Sequence, residues 1–456
     1  MIIERLKSEG IAHNSYLVGA GSSALVIDPR RDCRVYAEVA RSHGMKIKYI
    51  FETHRNEDYV IGSLPLAALT GAEIFHGPRP DWRYGKILQD RQEFRLGKLN
   101  ITALYTPGHT DDSVSYVLTD LSTGKTPVAV FCGDTLFVQE TGRVDFGGPA
   151  ETPRMAANLY DSIFNRLLSL GEGVLLYPAH GGGSVCGGNI ADRDESTLGI
   201  EKMQNPALQI KDQTEFIRLK VSEILDYPPY FRTMEKFNLE GPPLSDMPFP
   251  FPLSPLEFKN AVDQGALIVD TNMPASFGGA HIRGSYSIWL EGLPAFAGWL
   301  LPYDKPLLLV LEDRSHLEQA VRFLYRLGYD NIQGFLRDGL QSWYNSGFPL
   351  EGLPLMTVHQ LKGRLDAGDD FTLLDVRDQA EWNSGRVAGS IHIYAGHIAE
   401  RLREIPHQKP IVLMCSVGHR GSLAASVLLR AGFTSLYNVL GGTNAWRQAG
   451  FPLVNS

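Results

Sequence analysis

The chain has 456 residues, 43% of them hydrophobic and 21% charged; at roughly 150 residues per domain this is about three folding units, each able to bury its own core. So ordinary a composition excludes long disorder and fibrous repeats. With 43 Lys+Arg against 51 Asp+Glu the formal charge is −8, and without long basic runs there is no electrostatic footprint for nucleic acid.

The first residues, MIIERLKSEGIAHNSYLVG, show no basic stretch followed by an apolar segment, and no apolar run anywhere reaches the about 18 residues a membrane span needs. Neither secretion nor membrane insertion is expected. Cys33, Cys132, Cys186 and Cys415 lie far apart and form no CxxC, which points to free thiols in a reducing cytoplasm rather than disulfides or a cysteine zinc site.

Across residues 1–203, short β-rich runs (NSYLVGAG, SALVIDP, KIKYIFETH, NITALYTPGH, VAVFCGD, GVLLYPAHG) end repeatedly in His or Asp. Apolar strands that deliver polar residues at their ends are how α/β scaffolds build a site. From Tyr227 to Pro255 prolines and aromatics cluster (YPPYFRT, GPPLSDMPFPFPLSP), a composition that resists regular structure and suits a connector. The first domain is therefore expected over 1–240 and a linker over 241–254. Beyond it the chain repeats itself: LIVDTNMPASFGGAHIRGSYSI lies over LLDVRDQAEWNSGRVAGSIHI at an offset of 105, Asp270 over Asp375, and both copies close with Trp (Trp343, Trp446) and then GFPL. The copies span 255–352 and 354–456. Each alternates apolar runs of four to six residues with helical-period stretches, the pattern of βα units around a buried parallel sheet.

Four strand ends in the first domain carry the candidate chemistry: His54, His109, Asp134 and His180. Any one alone reads equally as a core His or a turn Asp, but four at equivalent strand ends read as a site. Two neutral imidazoles and one carboxylate with open positions suit a non-heme Fe(II) that activates O2, and His54, His109 and Asp134 supply that set.

The series THRNEDY, TPGHT, CGDTLF and YPAHG resembles the signature motifs of the metallo-β-lactamase superfamily over residues 1 to about 200, which implies an N-terminal αββα sandwich. The family's first motif reads T-H-x-H-x-D-H, and here Asn56 and Tyr59 stand where the second and third His belong. A dinuclear zinc hydrolase of the glyoxalase II type, the alternative reading, needs two metals around a bridging hydroxide, and its second site would draw on the positions of Asp58, Tyr59 and His180. With Tyr59 there, that site is poorly supplied. The remaining set matches the single iron of the superfamily's persulfide dioxygenases, which implies one Fe(II) per chain. It also implies a low-molecular-weight thiol persulfide and O2 as substrates and sulfite as product. TGRVDF resembles the segment by which those enzymes set an Arg near the thiol's carboxylates, so the resemblance assigns Arg143 to substrate binding. Asp58 and His180 are left to orient the ligands through hydrogen bonds, or to be remnants. Cys186, in GGGSVCGG, is either a redox thiol near the iron or an inert loop thiol.

In the last copy, IVLMCSVGHRGSLAASVLL reads as strand, tight loop and helix. Backbone N–H groups and the helix N-terminus converge on Cys415, which stabilises a thiolate or an anionic sulfur adduct. Cys415 to Arg420 is C-x4-R, shorter than the C-x5-R cradle of cysteine phosphatases. This loop, with LLDVR, AGSIHI and LGGTNAW around it, resembles rhodanese sulfurtransferases. That implies sulfane-sulfur transfer through a Cys415 persulfide to a thiol or sulfite, with thiosulfate in either direction, and Arg420 in the cradle. In the first copy Leu311 and EDRSH replace the loop, so that copy has no nucleophile and reads as a packing or dimerising spacer. The overall expectation is an αββα sandwich followed by two α/β rhodanese domains. The family suggests a homodimer, and the periodicity neither supports nor opposes it.

Overall fold

In the computed structural model the protein is described over residues 1–184, 187, 190–193, 195–223 and 225–455. It divides into two compact units. One comprises Met1–Asp246 with Arg326–Gly328, the other Met247–Tyr325 with Tyr329–Ser456.

The first unit holds two six-stranded sheets. One runs in sequence order: β1 (Ile2–Ser8), β2 (His13–Ala20), β3 (Ser23–Ile27), β4 (Lys46–Phe51), β5 (Glu73–His76) and β6 (Lys86–Ile87). The other is built from β7 (Glu93–Leu96), β8 (Leu99–Tyr105), β9 (Val114–Asp120), β10 (Ala129–Gly133), β11 (Leu175–Pro178) and β12 (Ser196–Thr197), laid out in the reverse of that order. Strand alternation sends Tyr16, Phe51 and Phe75 from the first sheet and Ile101, Tyr116 and Phe131 from the second into one shared core. The opposite face of the first sheet is covered by helices Arg34–Ser42 and Ser63–Thr70. That of the second packs on Thr152–Asp161 and Gln213–Ser222. The layers are thus αββα, as the motifs implied.

The second unit carries two five-stranded parallel sheets with one topology. The first is ordered β13 (Phe251–Leu253), β17 (Ile332–Leu336), β16 (Leu307–Val310), β14 (Leu267–Asp270), β15 (Tyr286–Ser287). The second is ordered β18 (Leu355–Met356), β22 (Leu436–Val439), β21 (Ile411–Met414), β19 (Thr372–Asp375), β20 (Ile391–His392). Trp343 and Trp446, which close the two copies in sequence, are buried in their respective cores.

The proline-rich stretch departs from the expected irregular connector. Phe231–Glu240 is a helix, because Phe231, Met234 and Asn238 fall on one face and are buried. Phe251–Leu253 pairs with β17 as an edge strand, a place where Pro252 costs no ladder bond on its open side. Among the described residues, no helix is long and apolar enough to cross a membrane.

Candidate functional site

β4, β8 and β10 each run out into a short turn, and those turns bring His54, His109 and Asp134 together. All three are buried, with ligand atoms within 4.8 Å of one another. Hydrogen bonds fix both imidazoles. The Thr53 hydroxyl donates to Asp28 at 2.7 Å and so accepts from His54 Nδ1 at 2.9 Å. His109 Nδ1 donates to the Arg143 carbonyl at 2.9 Å. With Nδ1 carrying the proton in each ring, both Nε2 lone pairs face the site, and neither has a hydrogen-bond partner. The rings meet edge-on, their centroids 5.0 Å apart. Gly142 of TGR passes so close that a Cβ there would lie 2.0 Å from the Asp134 carbonyl and 3.0 Å from His109 Nδ1, so this turn admits no side chain.

The electrostatics suit a cation. Burial holds His54 neutral, its pKa lowered to about 3, and lowers His109 as well. Burial alone would raise the pKa of Asp134, but His180, His54 and His109 outweigh it and hold the carboxylate ionised, far below the usual range. Two neutral imidazoles and a carboxylate, already in ligand protonation states with lone pairs converging, fit a divalent metal. Among the described residues this is the one such group.

His180 stands differently. Its Nδ1 donates to both Asp134 oxygens at 2.8 and 2.9 Å, while its Nε2 forms an ion pair with Asp58 at 3.0 Å. Burial would lower its pKa, yet Asp134 and Asp58 raise it well above the ordinary histidine value. His180 thus stands between two buried carboxylates and is hydrogen-bonded to Asp134 alone, its Nε2 and the Asp58 oxygens having no hydrogen-bond partner. Because the two carboxylates lie on opposite nitrogens of one ring, Asp58, His180 and Asp134 do not converge on a second metal position. Tyr59 is turned to His13, its hydroxyl 2.8 Å from Nε2. The loop from His54 to Ile61 is pinned from helix Phe231–Glu240: Asn238 donates to the carbonyls of Asn56 and Tyr59 and accepts from Ile61 N–H.

Arg143, whose carbonyl accepts from His109, keeps its side chain within its own turn. The side chain is 2% exposed and its fork is spent on Asp145, at 2.7 and 2.6 Å, with a further bond to the Asp226 carbonyl. Phe146, Tyr227 and Phe231 surround the guanidinium. The guanidinium is thus held by Asp145 on its own turn. A cleft of about 520 Å³ opens beside His109, lined by Arg55, Arg79 and Arg154 and by Asp81, Asp111, Asp112 and Glu151. Cys186 lies outside the described residues.

In the second unit Cys415 follows β21 and is buried, with its Sγ accepting from Gly418 N–H at 3.0 Å. Gly418 takes a positive φ of 108° and opens helix His419–Arg430. The loop's carbonyls are held from outside: Gly441, Thr443 and Asn444 N–H donate to Val417, Cys415 and Ser416 oxygens. Gly442, at φ 50°, comes so near that a Cβ would lie 2.0 Å from the Cys415 carbonyl. Arg420 donates to both Glu381 oxygens at 2.6 and 2.9 Å and to Ser416 Oγ at 3.0 Å. Burial works against its charge, but Glu381 and, more weakly, the Cys415 sulfur push its pKa up.

Residues 9–180 match the metallo-beta-lactamase superfamily, and residues 254–346 and 357–449 each match the rhodanese-like domain. The mitochondrial persulfide dioxygenase ETHE1 of Mus musculus is 30% identical over 227 residues, covering 47% of this chain and 77% of that protein. The chain belongs to the metallo-beta-lactamase superfamily, with two rhodanese-like domains. A hydroxyacylglutathione hydrolase of Tolumonas auensis is 34% identical over 170 residues, 36% of this chain and 60% of its own length. The crystal structure of a metallo-beta-lactamase from Staphylococcus aureus subsp. aureus COL superposes with a TM-score of 0.66 at 28% identity, covering 74% of this chain and 99% of that one. These relatives are enzymes, and the chain is an enzyme of their superfamily.

Two features of these domains escaped sequence reasoning. In the metallo-beta-lactamase domain, Glu57 is 0% exposed and places Oε2 3.9 Å from His54 Nε2 and 3.8 Å from His109 Nε2. Its one sequence signal is an acid three residues after a ligand candidate. In the first rhodanese-like domain, where Leu311 is buried in place of a nucleophile, Ser287 hydrogen-bonds Ser422 and Ser426 of the helix behind Cys415. Trp289 also packs on His419, with ring centroids 4.8 Å apart. The copy without a nucleophile thus supports the helix that caps the other copy's loop.

Proposed function

We propose that the first domain is a persulfide dioxygenase with one ferrous ion, and that the last domain transfers sulfane sulfur through Cys415. The observation that carries this reading is the convergence of the two unpartnered Nε2 atoms on Asp134, the one such group among the described residues. That arrangement favours one metal over the zinc pair of the hydrolase alternative. The reaction balances as RSSH + O2 + H2O → RSH + SO3²⁻ + 2H⁺. The ferrous ion would supply the redox chemistry that O2 requires.

The protein's own groups do the rest. Thr53 and the Arg143 carbonyl hold the two imidazoles in the tautomer that leaves Nε2 free. His180 fixes the Asp134 carboxylate. The cleft beside His109 has Arg55, Arg79 and Arg154 on its walls together with Asp81, Asp111, Asp112 and Glu151, and it is the place where a thiol carrier would lie. At Cys415 the Gly418 N–H donates to the sulfur. A persulfide there can yield its outer sulfur to sulfite, forming thiosulfate and restoring the thiolate, or accept it in the reverse direction.

The test is oxygen consumption by anaerobically purified protein on adding glutathione persulfide. Uptake with sulfite formation that is lost in His109→Ala and kept in Cys415→Ser supports the proposal and separates the two activities. No uptake, with turnover of S-lactoylglutathione instead, would replace it with the hydrolase.

A further inference from the structure

Most of the charge that lines the cleft beside His109 is already committed. Arg154 donates to both Asp111 oxygens at 2.8 and 3.0 Å and to Glu151 at 2.6 Å. Arg55 is paired with Glu235 at 3.2 Å, and Asp112 accepts its backbone N–H at 2.7 Å. Two groups are left over. Arg79 and Asp81 are exposed on the cleft wall, and among the described residues their side chains have no hydrogen bond or ion pair, with each other or elsewhere. Both sit on the connection 77–85 between β5 and β6, which is fixed at its two ends. His76 Nε2 donates to the Tyr84 carbonyl at 2.6 Å, and the Trp82 indole stacks on the same imidazole with ring centroids 4.3 Å apart. The Tyr84 hydroxyl donates to Glu52 at 2.9 and 3.1 Å, and Arg83 N–H donates to the Leu239 carbonyl at 3.1 Å. Gly77 passes so near the turn after His109 that a Cβ would lie 1.9 Å from the Asp112 carbonyl. A stapled loop therefore carries the two uncommitted charges into the cleft.

A free cation and a free anion two positions apart suit a ligand end that bears both charges. A guanidinium takes a carboxylate through two parallel hydrogen bonds, and a carboxylate takes an ammonium group. An α-amino-acid end offers both at once. We infer that Arg79 and Asp81 bind the α-amino-acid end of the thiol carrier, with His76 as the residue that positions their loop, an inference that rests on reading the cleft as the persulfide site. A carrier that ends in phosphates gains Arg79 but meets Asp81, and that repulsion makes the pair selective.

The experiment is calorimetric titration of the full-length protein with glutathione, which has one such end, with its N-acetylated form, which lacks the ammonium, and with coenzyme A, which ends in phosphates. The wild type should bind glutathione about tenfold more tightly than the N-acetylated form. Arg79→Ala should weaken both by about tenfold, whereas Asp81→Asn should weaken glutathione alone and so abolish the preference. His76→Ala should weaken glutathione as Arg79→Ala does, and the two together no further. His76→Gln, which can still donate to the Tyr84 carbonyl, should keep most of the affinity. Equal binding of the two glutathione forms by the wild type, glutathione affinity unchanged in Arg79→Ala, or tighter binding of coenzyme A than of glutathione would overturn the assignment. Arg79 and Asp81 are exposed, so their variants leave the core intact and decide the matter even if His76→Ala does not fold. The titrations omit persulfide and O2, so a chain that binds glutathione through Arg79 but consumes no oxygen would fail the dioxygenase proposal alone. Oxygen uptake on glutathione persulfide with KM unchanged in Arg79→Ala would fail this subsite alone.

Discussion

Replacing His180 by Ala tests the reading of the metallo-beta-lactamase domain at its most unusual point. His180 is 0% exposed, and it contacts Asp134 at 2.8 and 2.9 Å on one side and Asp58 at 3.0 Å on the other; the two carboxylates raise its pKa well above the ordinary histidine value. At an effective dielectric near 20, each contact carries a gross attraction of about 4 kcal/mol or more. The desolvation of three charged groups offsets much of that, but removing the central cation strands two buried carboxylates, and such losses run to about 3–5 kcal/mol. Urea unfolding of the metal-free protein should show a destabilisation of that size. Asp134 also loses the donor that orients it, so ferrous affinity should fall about 10–100-fold, while the number of ions bound at saturation stays the same. A metal count that falls from two to one on this substitution would refute the reasoning, because His180 would then be a ligand of a second metal and not a bridging cation. Unchanged stability and affinity would refute it as well.

Other expectations follow from the same geometry. Arg143→Ala should cost about 3 kcal/mol in unfolding free energy by stranding the half-buried Asp145; full stability with a raised KM for the persulfide would instead return Arg143 to the substrate. Gly442→Ala should displace the Cys415 loop, since its Cβ would lie 2.0 Å from the Cys415 carbonyl. Thiosulfate:cyanide sulfur transfer should then drop at least about tenfold, with oxygen uptake untouched. In the first rhodanese-like domain burial raises the Asp270 carboxyl to about 7, above its ordinary value. The folded state therefore holds that proton more tightly than the unfolded chain, and stability present below about pH 4 is lost as pH rises through 7. Asp270→Asn should remove that decline, gaining up to about 4 kcal/mol at pH 8 and little at pH 4, as read by calorimetry at the two pH values.

The residues that carry local signals were legible from the chain. His54, His109, Asp134 and His180 each follow an apolar strand and a small-residue turn, and strand order alone brings such ends together. Cys415 announces itself by the glycine-containing loop and the helix after it, and the parallel sheets follow from a repeat visible at one offset. What stayed hidden depends on partners distant in sequence or on a side chain's surroundings. Nothing in TGRVDF says that Asp145 takes the Arg143 fork, because the same two residues could equally point apart. Glu57 looks like one more surface acid until the fold removes every donor from around it. Helix Phe231–Glu240 was obscured by the prolines before it, although its Asn238 ties down the His54 loop from some 180 positions away in sequence. The support that Ser287 and Trp289 lend to the helix behind Cys415 is a contact between two copies of a repeat, and periodicity cannot report it.

The central claim is a single iron site in the first domain. Its most direct test is to titrate metal-free protein with Fe(II) under anaerobic conditions and count the ions bound per chain at saturation. The account predicts one ion in the wild type and in Asp58→Asn, and a loss of tight binding in His54→Ala and His109→Ala. Two ions in the wild type, reduced to one by Asp58→Asn, would contradict it.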